Sequence, residues 1–268
     1  MLEAYLRERL AEREILLMTH IVLGYPSFED SLALVESMVD AGVDLMELQI
    51  PFSEPIADGP VILNANQSSL QAGARVGRCL RFAEEVAQRF DIPFLVMSYY
   101  NILFKFGVGD FAKTLSSAGL RGAIVPDLPP EEAGEYLSAM ADAGLDPIFI
   151  YSPNTTDARM TAIASHARGF VYCVARKGVT GAKTDFSASL DTYLARCRTA
   201  TTLPIAVGFG VKERSDVDAL RGKADIAVIG TETIRVMQQQ GVAAVGDFIA
   251  GLRPEGSSTS RSMGRRRV

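Results

Sequence analysis

Eight short apolar runs, each set off from the next by a polar or helical segment, constrain the fold of this chain more than any other feature. They are LMTHIVLG (17–24), DLMELQI (44–50), PFLVMSY (93–99), GAIVPD (122–127), PIFIYS (147–152), GFVYCVA (169–175), PIAVGFG (204–210) and DIAVIGT (225–231). Near-continuous apolarity rich in β-branched residues predicts strands buried on both faces, as in a parallel sheet. Between them SFEDSLALVESMVDAG, VGRCLRFAEEVAQRF, GDFAKTLSSAG and PPEEAGEYLSAMADAG carry helical spacing, and several end in the glycine expected just past a helix. Eight strand–helix alternations predict a (β/α)8 TIM barrel, whereas an open doubly wound sheet has fewer strands and a glycine-rich first turn. The amphipathic start, MLEAYLRERLAERE, adds an N-terminal helix ahead of the barrel. The expected organisation is one barrel domain over 1–252 and a disordered basic tail over 253–268, RPEGSSTSRSMGRRRV from 253 onward, which has little to bury.

With 48% apolar and 22% charged residues, the 268-residue chain has enough apolar side chains for a large buried core. A formal charge of −5 offers no broad basic face, which argues against nucleic acid as a partner. No apolar run approaches the roughly 20 residues that span a bilayer, and the charged N-terminus is unlike a secretory signal. A cytoplasmic protein with no membrane partner is expected. Cys79, Cys173 and Cys197 are odd in number and too widely spaced for a metal knuckle, so they are expected as reduced thiols. His20 and His166 are the only histidines, too few for a His-based zinc site or a Ser-His-Asp triad, so no metal site is expected.

The segment MELQIPFSEPIADGP (46–60) packs three carboxylates and three prolines into a stretch without periodicity of its own. Catalytic groups of such barrels sit at the C-terminal ends of strands and in the loops beyond. Strand alternation puts Leu45 and Glu47 on one face and Met46 and Leu48 on the other, so Glu47 is expected in the barrel mouth. Desolvation there would raise its pKa and suit it to general acid–base work; the plainer alternative is a Glu paired with an Arg at the rim. Pro51, Pro55 and Pro60 stiffen the loop that carries Glu54 and Asp58. Asp58, followed by Gly59-Pro60, reads on these residues alone as a helix N-cap. Strands 7 and 8 end in VGFGV and VIGTET, whose small residues let backbone N–H groups approach an anion, which makes Gly208, Gly210, Gly230 and Thr231 candidate phosphate ligands. For GFG alone, two ordinary turn glycines are the alternative. After strand 6, RKGVTGAKTDFSASL has the composition of a lid or of a plain surface loop.

MELQIPFSEPIADGPVI, RKGVTGAK, VGFGV and IGTE, in that order and on strands 2, 6, 7 and 8, resemble the tryptophan synthase alpha subunit family over about residues 5 to 250. VLGYPSFEDSL, SYYN and VPDLPPEE match as well. The resemblance implies retro-aldol cleavage of indole-3-glycerol phosphate to indole and glyceraldehyde 3-phosphate. It implies no cofactor on this chain, and indole passing to a separate pyridoxal-phosphate beta subunit in an alpha2-beta2 heterotetramer. Residue by residue, it implies Glu47 as the acid/base and Asp58 as the carboxylate on the indole N–H. Tyr172 would pack near Glu47, and Thr180 in the lid would meet Asp58 on closure. Gly181, Gly210, Gly230 and Thr231 would hold the phosphate, and Glu54 with Pro55 would contact the beta subunit. Tyr99, Asn101 and Asp127 match positions near the site and interface, although Tyr172 alone reads equally as a core aromatic and Asp127 as a helix cap.

Four positions depart from the family pattern: Gln49 stands where Gly is usual, Leu63 and Ser68 replace Gln and Arg, and Lys177 replaces Ser. Two alternatives follow. One is an alpha-like subunit with weak turnover that acts mainly as allosteric activator of a beta subunit. The other is a Schiff-base aldolase with Lys177 as the amine, disfavoured because Lys177 lies past its strand and would be poorly desolvated.

Overall fold

The computed structural model describes residues 2–175, 186–208 and 210–253. Eight parallel strands close into a barrel in chain order, each paired with the next and the last with the first: β1 (Leu16–Val22), β2 (Leu45–Gln49), β3 (Phe94–Met97), β4 (Gly122–Ile124), β5 (Asp146–Tyr151), β6 (Val171–Val174), β7 (Ile205–Gly208) and β8 (Ile226–Ile229). This is the expected (β/α)8 architecture. The strands are shorter than the apolar runs. In GAIVPD the ladder ends at Ile124, because the Val125 carbonyl turns to accept from Leu128 N at 3.2 Å and Pro126 has no N–H to offer. The helix expected over PPEEAGEYLSAMADAG is split into a 3-10 turn at Pro130–Glu132 and a helix at Gly134–Asp142. The expected tail lies outside the described residues from 254 on.

Alternation along the strands sorts the core into two layers. Met46, Leu48, Val96 and Val207 face outward and belong to the same buried cluster as helix residues such as Leu34, Val35 and Met38 of the helix Phe28–Asp40. That helix begins where the Ser27 hydroxyl accepts from Asp30 N at 3.0 Å, satisfying one free first-turn donor. Leu16, Met18, Leu45, Leu95, Met97, Ile124, Ile148 and Val228 form a separate cluster that fills the lumen. The helix Leu2–Glu12 closes the lumen from the N-terminal end: Leu2 and Leu6 are buried in that cluster, each worth roughly 2 kcal/mol of apolar burial. Asp44 secures the closure, accepting from Leu17 N at 2.9 Å and pairing with Arg9 at 3.4 Å and with Arg13. With one end sealed for stability, the mouth at the C-terminal ends of the strands is the end free for chemistry. Among the described residues, no helix is long and apolar enough to cross a membrane.

Candidate active site

β2 delivers Glu47 to the lumen, where register sets it beside His20 of β1 and Leu95 of β3. Only 5% of Glu47 is exposed, and its Oε2 is buried without a hydrogen-bond partner. An isolated carboxylate in such a place is expensive, so the proton stays on. Burial, and then the nearby Asp58 charge, push the Glu47 carboxyl up to about 8. Among the described residues no arginine pairs with it, so the rim ion pair finds no partner there.

Asp58 arrives from the proline-rich loop. The loop turns on itself through Ile56 N to Glu54 O at 2.9 Å and Asp58 N to Pro55 O at 3.0 Å. Asp58 is not a helix cap. The helix Pro60–Gln71 has Gly59 at its N-cap and Pro60 at its first position, and Asp58 instead turns inward. Its Oδ2 accepts from Gln49 Nε2 at 2.7 Å and from the Tyr99 hydroxyl at 3.2 Å. Gln49 Oε1 in turn lies 2.8 Å from His20 Nε2. Burial raises the Asp58 carboxyl, while Gln49, His20 and Tyr99 pull it back toward the charged form. The two acids are thereby split: Asp58 ionises first, and its charge then helps keep Glu47 protonated.

Tyr172 of β6 faces the same space. Its hydroxyl is raised well above the ordinary phenol value by burial and then by the Glu47 and Asp58 charges, so it shares their environment. Gly208 makes room for it: a Cβ there would lie 2.8 Å from the Tyr172 hydroxyl. Across the mouth, Gly230 caps the helix Thr231–Gln240; Thr233 N donates to Gly230 O at 3.1 Å, which leaves the N–H groups of Thr231 and Glu232 at the helix start as those that can receive an anion. Glu232, an acid in that turn, is paired with Arg235 at 3.1 Å. Gly210 adopts a φ of +89°, a conformation natural to glycine. Thr180, Gly181 and Lys177 lie outside the described residues.

Asp127 serves the scaffold, both carboxylate oxygens accepting from Tyr100 N (2.9 and 3.1 Å) at the start of the helix Tyr100–Phe106. Asn101, Ser68 and Glu54 are exposed, and Leu63 is half-buried. Pro55 is buried, so the apolar surface offered there is Ile56, at 78% exposure, rather than the proline. Phe104, 65% exposed, is the other large apolar side chain most open to solvent among the described residues. Sequence reasoning passed over Ile56, Phe104 and His20. A polar residue inside an apolar strand was the available signal for His20. Among the described residues, no cluster of His, Cys, Asp and Glu could hold a metal, and the three cysteines are buried and free.

Comparison with known proteins gives a consistent pattern. The family model described as tryptophan synthase alpha chain matches residues 6–248. The tryptophan synthase alpha chain of Desulforapulum autotrophicum is 64% identical over 252 residues, covering 94% of this chain and 100% of that one. That of Syntrophotalea carbinolica is 62% identical over 253 residues, with the same coverage. Among solved structures, Mycobacterium tuberculosis tryptophan synthase aligns with a TM-score of 0.86 at 31% identity, covering 94% of this chain and 96% of that chain. The Legionella pneumophila tryptophan synthase subunit alpha aligns with a TM-score of 0.85 at 29% identity and the same coverage.

Proposed function

This chain belongs to the tryptophan synthase alpha chain family, and from that premise we propose how its residues divide the reaction. The activity is that of a carbon–carbon lyase, cleaving indole-3-glycerol phosphate into indole and glyceraldehyde 3-phosphate. Glu47, protonated at neutral pH, gives its proton to indole C3. The ring becomes cationic and its N–H more acidic; the Asp58 carboxylate accepts a hydrogen bond from it and stabilises the charge. The Glu47 carboxylate then takes the proton of the side-chain hydroxyl. The C3 to side-chain bond breaks, its electron pair returns to the ring, and the oxygen is left as the aldehyde. Glu47 ends protonated, ready for the next turnover. Tyr172 packs beside Glu47, and the phosphate sits against Gly210, Gly230, Thr231 and, from the loop after β6, Gly181, with Thr180 closing on Asp58.

The observation that carries this reading is the buried Glu47 with its unpartnered Oε2 beside an Asp58 held by two hydrogen bonds. No step needs a cofactor on this chain; pyridoxal phosphate belongs to the partner. That partner is a tryptophan synthase beta subunit in an alpha2-beta2 assembly, docking on the rim where Glu54, Ile56 and Phe104 are exposed. The activator with little turnover draws no support from this geometry, which keeps both acids in place. The test incubates the full chain with indole-3-glycerol phosphate, alone and with a beta subunit, adding borohydride to a parallel sample. Equimolar indole and glyceraldehyde 3-phosphate with no reduced adduct supports the mechanism. A trapped covalent adduct, or indole at background in both samples, contradicts it.

A further inference from the structure

We propose that His20 and Gln49 are positioning residues for Asp58: the imidazole fixes the Gln49 side-chain amide, and the amide aims the carboxylate at the indole N–H. The proposal deepens, and rests on, the role given to Asp58 above. A carboxylate only accepts hydrogen bonds, so Gln49 must present Nε2 to Asp58 Oδ2, at 2.7 Å. That turns Gln49 Oε1 toward His20, whose Nε2 must then carry hydrogen to donate across 2.8 Å. Burial holds the imidazole pKa down, which favours the neutral ring with its proton on Nε2. Gln49 is fully buried with both ends of its amide engaged: His20 stands on the neighbouring strand β1, whose Val22 lies opposite Gln49, and Asp58 comes from the loop after β2.

The outcome is a directed carboxylate. Oδ2 is held by Gln49 and Tyr99, while Oδ1 has no hydrogen-bond partner among the described residues and is the oxygen available to the indole N–H. The arm also reaches the other end of the mouth. His20 Nδ1 is buried without a partner, and a Cβ built on Gly230 would lie 3.5 Å from it. One imidazole thus sits between the glycine proposed to hold the phosphate and the amide that holds the indole acid. Among the described residues, the titratable groups whose charge or hydrogen bonding reaches Asp58 are His20, Glu47, Tyr99 and Tyr172.

The test measures kcat/KM for indole release by the full chain across pH, for Gln49→Met and His20→Phe, each alone and in an Asp58→Asn background. Gln49→Met is expected to lower kcat/KM by about ten- to hundredfold, the worth of a hydrogen bond to a charged group. It is also expected to move the acid limb of the profile to higher pH, because Asp58 loses a donor that favours its charge. His20→Phe is expected to act in the same direction and less. In the Asp58→Asn background each should add no more than about a twofold loss, because residues acting through one group are not additive. If Gln49→Met fails to fold, Gln49→Gly carries the same expectation. An unmoved acid limb, or an undiminished loss in the Asp58→Asn background, overturns the proposal and leaves Gln49 as packing. Near-parental activity of Asp58→Asn alone would overturn the Asp58 role itself. A large loss there, with parental Gln49→Met and Gln49→Gly, would overturn only the arm.

Discussion

The Tyr99 hydroxyl stands between the Asp58 carboxylate, 3.2 Å away, and the Ala57 amide, 3.1 Å away, so one phenol ties the proline-rich loop and its acid to the end of β3. Its ring stacks on Phe52 with centroids 5.0 Å apart. Tyr99→Phe keeps the stack and removes both hydrogen bonds. Steady-state assay and urea unfolding should show about a tenfold lower indole release and a stability loss of about 1 kcal/mol. An unchanged rate would mean that the loop places Asp58 without help from Tyr99.

Glu47 couples stability to pH with a defined sign. Its carboxyl rises from 4.5 to about 8 on burial, so the folded chain keeps a proton that the unfolded chain has lost across that window. Its contribution is therefore full below about 4.5 and is lost as pH rises through about 8. Glu47→Gln cannot ionise and should escape that loss. Relative to the parent, the variant should gain stability from about pH 5 to about pH 8, by on the order of a few kcal/mol. Paired thermal unfolding at the two pH values reads the difference. A constant offset would show that Glu47 is not held protonated.

Gly208 and Tyr172 should prove inseparable. A methyl at position 208 would sit 2.9 Å from Tyr172 Cε1 as well as 2.8 Å from its hydroxyl, so Gly208→Ala must displace the ring from the mouth. Overpacking of this kind costs roughly 1–3 kcal/mol. Indole release should fall with it, and Gly208→Ala/Tyr172→Leu should recover most of the stability. Failure of the second substitution to recover any would locate the strain elsewhere.

Ile56→Asp separates docking from folding. The side chain is 78% exposed, so the isolated chain should unfold within about 0.5 kcal/mol of the parent and keep its own rate. Binding to the beta subunit, followed by titration, should weaken by at least tenfold, the order expected for an apolar anchor at an interface. Unchanged binding would move the interface away from this loop.

Apolar continuity and spacing made the barrel legible in the sequence, because strands buried on both faces leave few other solutions. Alternation alone also placed Glu47 in the lumen. Asp58 was harder: before a Gly-Pro pair a helix cap is the local expectation, and only the tertiary partners Gln49 and Tyr99 turn it inward. His20 was passed over because a count of histidines speaks to zinc sites and triads and says nothing about register. Its place next to Glu47 comes from the pairing of β1 with β2, which no local pattern encodes. Gln49 departs from the family pattern in the sequence, but its role as a bridge needs both neighbours in place.

The most direct measurement is the rate of indole release from indole-3-glycerol phosphate by the full chain, comparing the parent with Glu47→Gln and Asp58→Asn under identical conditions. Each variant is expected to lose about 10²-fold or more, the scale of a general acid–base or charge-stabilising group. A near-parental rate in either would contradict the division of labour between the two carboxyls.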